Sequence, residues 1–325
     1  KDIFGEYLIL EHHSNYSAEN NYYDKDSGSF SLTEEKKKLA CENWDYPVIV
    51  TTTVQFFESL FSNRGSKCRK IHNIAESVVI FDEVQTLPKE ILSPTLKILQ
   101  DVQDIMKTSF VFCTATQPAF ESRQNFKGID SIEPLIEDSQ YFFEKTKRVE
   151  YCIVNNFTPI NHNTLYNLIR SSEVSVLVVF NTKRSLLEFF ESINDDNSYE
   201  RIYHLSTSMC PIHRKEVIKN IRDDLYEERN ILVASTQLIE AGVDFDFPIV
   251  FRSLAPMESI IQAAGRCNRE NKLGELGGKV YIFNIQDGGM PDKTYSACAG
   301  YAQELISKDI NQLYRSDIFK TYYAN

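Results

Sequence analysis

Apolar positions along the chain form short, unbroken runs instead of alternating with polar ones. Seven such runs are rich in valine, isoleucine and phenylalanine: "PVIVTTT" from Pro47, "SVVIFDE" from Ser77, "SFVFCTAT" from Ser109, "VSVLVVFNT" from Val174, "NILVAST" from Asn230, "FPIVFR" from Phe247 and "KVYIFN" from Lys279. Unbroken runs are typical of strands that are covered on both faces, as in parallel sheets. The pattern therefore predicts seven buried strands, and a further strand is expected from Val149.

Helical periodicity fills the intervals between these runs. One predicted helical face comprises Ile91, Leu92, Leu96, Leu99, Val102 and Met106, and another comprises Val217, Ile218, Ile221 and Leu225. Apolar residues at three- and four-residue spacing lie on one side of a helix that packs against a core. Strands that alternate with such helices are typical of a doubly wound α/β architecture, so we expect parallel sheets flanked by helices.

A change of pattern near the middle of the chain predicts a domain boundary. The stretch from Gln117 to Glu144 is polar and aperiodic, and the strand from Val149 follows it. We expect a first domain over residues 1–146, a second over 147–290 and a tail over 291–325 with a helix around Ala297 to Ser307. The polar segment over 15–38 is predicted to be an exposed loop.

Composition narrows the class of protein. The chain has 325 residues, 42% hydrophobic and 25% charged, which is typical of a soluble globular protein with two domains. Its net charge of −11 argues against coating nucleic acid by global attraction, although a local basic channel stays possible. The longest apolar run is too short to span a membrane. Seven scattered cysteines without C-x-x-C spacing favour free thiols and a cytoplasmic location over zinc or disulfide frameworks.

The run "VVIFDEVQTLP", from Val78 to Pro88, ends a predicted strand in two adjacent acids. Ligands of open parallel sheets bind at the carboxyl ends of the strands, where Asp82 and Glu83 would lie. One carboxylate there can hold Mg²⁺, directly or through water, while the other orients an attacking water. An Asp-Glu pair is also common on protein surfaces, so the pair alone does not decide between the two interpretations.

Two further stretches place polar groups after predicted strands. "FVFCTATQP" ends in Thr114 and Thr116, which either cap the strand and its turn or link the acidic pair to a second domain. "STQLIEAGVDFDFPIVFRSL" places Glu240, Gly242 and Asp244 between two strands. Glycine lets the backbone approach a ligand closely, yet an acidic segment before a strand is usually a solvated turn.

The stretch "ESIIQAAGRCNRE" carries two arginines on a predicted helix. Gln262, Arg266 and Arg269 are spaced i, i+4 and i+7, so we expect all three on one helical face. Apolar Ile260, Ile261, Ala264 and Cys267 would dock the opposite face. Fixed guanidinium groups suit recognition of a γ-phosphate, although solvated helix faces often carry two arginines as well.

The order of these stretches is more specific than any one of them. The series D-E-V-Q, T-A-T, a strand ending in Phe180-Asn181-Thr182, S-T-Q-x-x-E-x-G-V-D and Q-A-A-G-R-x-N-R resembles superfamily 2 helicases, which have two RecA-like domains. More narrowly, "LEHHSN", "VTTTVQFFESLFSNR", "CRKIHNIAESVVIFDEVQTLP" and "LAPMESIIQAAGRCNRE" resemble the CRISPR-associated helicase–nuclease of type I interference systems. The resemblance runs from about Leu10 to Asn284. D-E-x-Q and Gln262 separate the chain from DEAD-box RNA helicases.

The resemblance implies a role for each matching position. Asp82 would bind Mg²⁺ and Glu83 would polarise water, while Arg266 and Arg269 would supply the arginine finger of an ATP site. Gln262, Glu240, Gly242 and Asp244 would line the nucleotide cleft. Coupling of nucleotide state to domain closure would fall to Gln85, Thr114 and Thr116. Single-stranded DNA would be contacted by Thr51, Thr53, Gln55, Asn181, Thr182 and Lys183. The implied partner is a CRISPR RNA-guided surveillance complex.

The phosphate loop of such an ATPase is missing from these residues. No G-x-x-x-x-G-K-[ST] occurs, because "SNRGSKCRK" has no second glycine and "LGGKVYIF" runs into a predicted strand. The family's His-Asp nuclease motif is also absent, and His12-His13 would point to opposite faces of a strand. We therefore expect a first domain incomplete at its N-terminus and only background ATPase from residues 1–325. A non-hydrolytic binding or interaction module and an RNA helicase are the alternatives.

Overall fold

A computed structural model describes residues 8–13, 32–114, 116, 120–124, 126–193, 198–240, 242–315 and 317–324. The chain divides into two compact units. The first lies within residues 1–114 and 120–133, and the second within 115–119 and 134–325. Most of the predicted loop over 15–38 lies outside the described residues. Its last part is wrong, because a helix begins at Leu32.

Among its described residues, the first unit combines two pairs of parallel strands with four α-helices. Its elements are β1 (Ile9–His12), α1 (Leu32–Asn43), β2 (Val48–Thr51), α2 (Thr53–Phe61), α3 (Gly65–Cys68), β3 (Val78–Phe81), α4 (Leu92–Met106) and β4 (Ser109–Phe112). β1 pairs with β2, and β3 pairs with β4. The predicted face of α4 is confirmed, since Leu96, Leu99 and Val102 are buried in the core of this unit.

One face of β3 departs from the predicted burial. Val78 and Ile80 are 66% and 65% exposed, whereas the alternate residue Phe81 is buried against α2 and β4. Successive side chains of a strand point to opposite faces, so this exposure marks one face of the strand pair. The prediction of cover on both faces is wrong for β3, because among the described residues only the opposite face carries a helical layer.

The second unit is built on a six-stranded sheet. Its elements are α5 (Ser139–Lys145), β5 (Val149–Ile153), α6 (His162–Arg170), β6 (Val176–Phe180), α7 (Lys183–Ser192), β7 (Arg201–Leu205), α8 (Pro211–Tyr226), β8 (Ile231–Thr236), β9 (Ile249–Ser253), α9 (Met257–Ala264), β10 (Gly278–Phe283), α10 (Lys293–Lys308) and α11 (Ile318–Ala324). The strand order is β5-β10-β9-β6-β8-β7, and every pairing is parallel.

Helices cover both faces of this sheet. Along β6, Leu177 and Val179 pack with α8 and α9 on one side, while Val176, Val178 and Phe180 pack with α6 and α7 on the other. All residues of β6 and β8 are buried, which explains why β6 and the first four residues of β8 are apolar without alternation. The predicted α/β class with parallel sheets flanked by helices is confirmed.

The seven predicted strands and the strand from Val149 are present, and the helix predicted around Ala297 is α10. Two strands escaped prediction: β1, which is short, and β7, whose sequence "RIYHL" mixes polar and apolar residues at the sheet edge. The tail helices α10 and α11 pack with α9 and β10 in an apolar cluster of the second unit. Among the described helices, none has the length and apolarity that a membrane crossing requires.

Candidate functional site

The acidic pair lies where β3 ends. Asp82 is exposed, and its Oδ1 accepts the Glu83 N–H at 3.0 Å. Glu83 has a φ of 51°, a left-handed backbone conformation that turns the chain sharply away from the strand. The Glu83 Oε2 accepts the Gln85 side-chain N–H at 2.5 Å, and the Gln85 Oε1 accepts the Thr114 hydroxyl. The structure thus joins Glu83, Gln85 and Thr114 at the carboxyl ends of the paired strands β3 and β4.

This carboxylate pair has a donor set that fits Mg²⁺. The cation takes oxygen ligands, keeps several waters and is commonly held by only one or two carboxylates. Asp82 presents an exposed carboxylate, and Glu83 lies beside it with one oxygen engaged by Gln85. No group of three His, Cys, Asp or Glu suited to a metal occurs among the described residues. The pair therefore fits a cation that is largely hydrated, not one enclosed by protein ligands.

The two threonines of T-A-T lie in different units. Thr114 belongs to the first unit and bonds to Gln85, whereas Thr116 belongs to the second and is fully buried. The Thr116 hydroxyl lies 3.1 Å from the Tyr323 hydroxyl of α11. Burial raises the pKa of Tyr323, so its hydroxyl stays protonated and able to donate.

The predicted contacts of the first unit lie where β2 passes into α2. The Thr51 hydroxyl donates to the His12 carbonyl at 2.8 Å, which ties the ends of β2 and β1 together. Thr52, which the sequence interpretation did not single out, caps α2 by accepting the Gln55 N–H at 3.3 Å. Thr53 and Gln55 are half-buried in the first turn of α2. This end of the helix is rich in hydroxyl and amide groups, which suit contacts to a nucleic-acid backbone.

The prediction that Gln262, Arg266 and Arg269 share one helical face is wrong. Helix α9 ends at Ala264, and the Gly265 N–H already bonds back to the carbonyls of Ile261 and Ala263. Beyond it, Cys267 forms a parallel bridge with Phe247, which pulls the segment alongside the sheet. Gln262 is therefore on the helix, while both arginines lie on the segment after it.

The two arginines hold the loop that follows β8. Arg266 is buried; its Nε donates to the Ile239 carbonyl at 3.0 Å and its Nη2 to the Glu240 carbonyl at 2.6 Å. Arg269 is exposed and forms an ion pair with Asp244 at 2.7 Å. Between these anchor points Gly242 has a φ of +74°, which glycine tolerates without strain. The structure thus brings Glu240, Gly242 and Asp244 together with both arginines.

A third arginine, Arg252, contacts the same loop from strand β9. Arg252, in β9, is 0% exposed, and its guanidinium lies 2.9 Å from the Glu240 carboxylate. The same group donates to the Asn181 Oδ1 at 2.7 Å and to the Tyr295 hydroxyl at 2.9 Å. The Asn181 side-chain N–H donates in turn to the Leu254 carbonyl at 2.7 Å. This buried network was missed at the sequence level, although a charged residue inside the apolar run "FPIVFR" was a usable signal.

Burial dominates the electrostatics of this network. Burial raises the pKa of Glu240 above its ordinary value, against the opposing effects of Arg252 and of a hydrogen bond with Ser259. Asn181 is buried inside the network, so at the start of α7 it is Thr182 and Lys183 that reach the surface. Thr182 caps α7 by accepting the Ser185 N–H at 3.2 Å.

The chain was compared with protein-family models, with curated proteins and with solved structures, and all three comparisons found Cas3 proteins. Residues 172–272 match the family model described as the C-terminal region of the CRISPR-associated nuclease/helicase Cas3. The CRISPR-associated nuclease/helicase Cas3 of Haloferax volcanii is 26% identical over 342 residues, which cover 78% of this chain and 36% of that protein.

Solved structures share the fold at low sequence identity. T. fusca Cas3 with AMPPNP superposes with a TM-score of 0.67 at 16% identity, over 96% of this chain and 43% of that one. A CRISPR RNA-guided surveillance complex in a pre-nicking state contains a chain with a TM-score of 0.64 at 14% identity, over 86% and 41%. The Mycobacterium smegmatis helicase Lhr, bound to ssDNA and AMP-PNP, gives 0.52 at 15% identity, over 93% and 37%.

The chain spans a little over a third of the length of the curated relative. Its parallel sheets and flanking helices correspond to the helicase region of the Cas3 structures, which is the RecA-like fold predicted from the motif series. Family model and curated relative agree that the chain is similar to Cas3 nuclease/helicases, and the solved structures show that it has an α/β RecA-like fold.

Proposed function

We propose that the chain is the core of an ATP-dependent translocase that acts on single-stranded DNA in CRISPR interference. The observation that carries the proposal is the hydrogen-bonded series Glu83–Gln85–Thr114 beside an exposed Asp82. Such a series connects a carboxylate able to orient water with a threonine that follows the neighbouring strand β4. The neighbours in structure that hold AMPPNP and ssDNA support a nucleotide and a single strand as ligands.

In this proposal each residue has a defined task. Asp82 and Glu83 would hold Mg²⁺, which when bound neutralises charge on the phosphates. Glu83 orients the attacking water, and its bond with Gln85 fixes the direction of the carboxylate. Gln85, Thr114 and Thr116 couple the nucleotide state to movement. The proposed nucleotide contacts of the second unit are Gln262, Glu240, Gly242 and Asp244.

Arg266 and Arg269 are proposed to stabilise charge on the γ-phosphate. A guanidinium in this role accelerates phosphoryl transfer by about 10³ to 10⁵. Arg269 is exposed, and its guanidinium forms a surface ion pair with Asp244. Arg266 is held by two loop carbonyls, so it keeps that loop in place as well. The backbone of the single-stranded DNA is contacted by Thr51, Thr53, Thr182 and Lys183. Asn181 supports Thr182 and Lys183.

Steady-state ATP hydrolysis tests the catalytic assignment. A polypeptide that joins a phosphate loop to these residues should release phosphate faster when single-stranded DNA is added. Glu83→Gln should abolish that stimulation, because an amide cannot accept the proton of the attacking water. Glu90→Gln, an exposed acid of the same unit, is the matched control and should leave the rate unchanged. Equal rates for the two variants would remove Glu83 from the mechanism.

The missing phosphate loop favours a second candidate, a non-hydrolytic module that keeps the helicase shape. Binding of the strand without any hydrolysis by the joined polypeptide would support this module. Competition between RNA and DNA strands for binding distinguishes an RNA helicase from a DNA translocase. The RNA-helicase alternative predicts that RNA binds more tightly than DNA. The proposed partner is a CRISPR RNA-guided surveillance complex, and it is supported by the neighbour found in such a complex.

A further inference from the structure

Two acids alternate with two phenylalanines on the loop before β9. Phe245 and Phe247 are 2% and 0% exposed, and their rings meet edge to face with centroids 6.0 Å apart. Both rings belong to the core of the second unit, which fixes the loop that carries the acids. Asp244 is exposed and Asp246 is half-buried. The motif series assigns a role to Asp244 and none to Asp246.

The Asp246 carboxylate accepts hydrogen bonds from two consecutive backbone N–H groups. Its Oδ1 accepts the Arg269 N–H at 2.6 Å, and its Oδ2 accepts the Glu270 N–H in a longer bond of 3.4 Å. Hydrogen bonds to an ionised acceptor are roughly twice as strong as those between neutral groups. The carboxylate therefore fixes the backbone at the residue whose guanidinium is proposed to act on the γ-phosphate.

Two further side chains hold the same short turn. Asn268 has a φ of 44°, a left-handed conformation, and its side-chain N–H groups donate to the carbonyls of Arg148 and Gly274 at 2.8 and 2.9 Å. The Arg148 guanidinium donates to the Arg269 carbonyl at 2.9 Å. The backbone N–H and the backbone carbonyl of Arg269 are thus both bonded to side chains, those of Asp246 and Arg148.

The guanidinium of Arg269 is held less firmly than its backbone. It pairs with Asp244 at 2.7 Å, but the two side chains are 41% and 72% exposed, and water and salt screen such a pair. Arg266 differs, because its guanidinium donates to two loop carbonyls and is buried. The direction of the Arg269 side chain therefore depends mainly on its backbone, which Asp246 contacts directly.

We propose that Asp246 is a positioning residue for Arg269 and that it directs the guanidinium toward the γ-phosphate by holding the backbone from which this side chain projects. The inference rests on the proposed function, since it names what places one of the proposed arginines. Displacement of a group by about 1 Å can cost about 10²-fold in rate. An arginine of this kind acts on charge that develops in the transition state, so its displacement lowers kcat and leaves the KM for ATP nearly unchanged.

ATP turnover by a polypeptide that joins a phosphate loop to these residues tests the assignment. Asp246→Ala should lower kcat by about ten- to a hundredfold and change the KM for ATP by less than about twofold. In an Arg269→Ala background the same change should alter kcat by less than about twofold, because the group that Asp246 positions is gone. Asp223→Ala, at an exposed acid on α8, is the control and should keep the wild-type kcat.

Hydrogen exchange in the 325-residue chain gives a second readout that needs no hydrolysis. The backbone N–H groups of Arg269 and Glu270 should exchange faster in Asp246→Ala than in the wild-type chain, because they lose their acceptor. Asp246→Asn keeps one acceptor oxygen but turns an N–H₂ group toward the other backbone N–H, so both its exchange rates and its kcat should be intermediate. This variant keeps the shape of the side chain and replaces Asp246→Ala in every comparison if alanine reduces folding.

The outcomes separate the two levels of inference. A joined polypeptide that does not hydrolyse ATP, or one in which Arg269→Ala keeps the wild-type kcat, contradicts the proposed function and with it the role of Asp246. Loss of kcat in Arg269→Ala but not in Asp246→Ala overturns the positioning role alone. An equal loss from Asp246→Ala in both backgrounds also overturns it, because a general stabilising effect would not require Arg269. Unchanged exchange at Arg269 and Glu270 would show that Asp246 does not hold this backbone.

Discussion

Replacing Arg252 with methionine should destabilise the second unit strongly. Methionine keeps much of the side-chain volume but removes the charge from a site that is 0% exposed. The Glu240 carboxylate then loses its ion-pair partner, and the Asn181 carbonyl and the Tyr295 hydroxyl each lose a donor. Removing one member of a buried ion pair costs about 3–5 kcal/mol. Tyr295→Phe removes a hydroxyl that accepts from Arg252 and donates to Asn181 but leaves the ion pair intact, and it should cost about 1 kcal/mol.

Urea unfolding measures the free energy that Arg252→Met removes, and the first unit serves as an internal reference. Trp44, the single tryptophan, lies in the first unit, so its fluorescence follows that unit, while far-UV circular dichroism follows both. Arg252→Met should shift the circular dichroism transition far more than Arg184→Met, which breaks only the exposed pair with Glu188. Water and salt screen that exposed pair, so its loss should leave the transition almost unchanged. Two variants that differ by less than about 1 kcal/mol would refute the network as a stabilising element.

The same network makes a prediction about pH. Burial raises the pKa of Glu240 above its ordinary value of 4.5. The carboxyl of Glu240 therefore binds its proton more tightly in the folded chain than in the unfolded chain. Stability from this group is present below the unfolded pKa and is lost as pH rises through the folded pKa. Glu240→Gln should flatten that part of the stability profile, and an unchanged profile would contradict the assignment.

Three further predictions concern other parts of the molecule. Asn268→Ala should lower the free energy of unfolding in urea by about 3 kcal/mol, because the buried side chain bonds to the backbone of Arg148, Leu273 and Gly274. Asn271→Ala is the control, since Asn271 is exposed and also has a positive φ, and it should cost less than half as much. The pKa of His12 is lowered from 6.5 by burial and by Lys70, so stability followed by Trp44 fluorescence should fall as pH drops below that value, and His12→Asn should remove the effect. Arg266→Ala in a hydrolysing polypeptide should abolish ATP turnover and spare DNA binding; loss of binding with turnover intact would reject the arginine-finger role.

Most of the fold followed from the sequence, because a strand such as β6 is buried on both faces and is apolar at every position. The same rule failed at β3, where a described face carries no layer although its residues are equally apolar. Periodicity alone cannot distinguish a covered face from an exposed one.

The order of motifs along the chain singled out Glu83, Gln85 and Thr114 as candidates, and the structure joins these three side chains by hydrogen bonds. The arrangement after α9 was not predictable from spacing. Gly265 ends that helix one residue before Arg266, and the bridge between Phe247 and Cys267 then sets the path. Such tertiary pairing overrides an i, i+4 pattern. Arg252 lacked a motif, and only its charge within an apolar strand indicated a role.

DNA-stimulated phosphate release from ATP tests the central claim most directly. We expect the 325-residue chain to release phosphate only at background, because these residues contain no phosphate loop. Joining such a loop to it should produce turnover that rises with single-stranded DNA and disappears in Asp82→Ala. Robust turnover by the 325-residue chain alone, or turnover by the joined polypeptide that survives Asp82→Ala, would contradict the account.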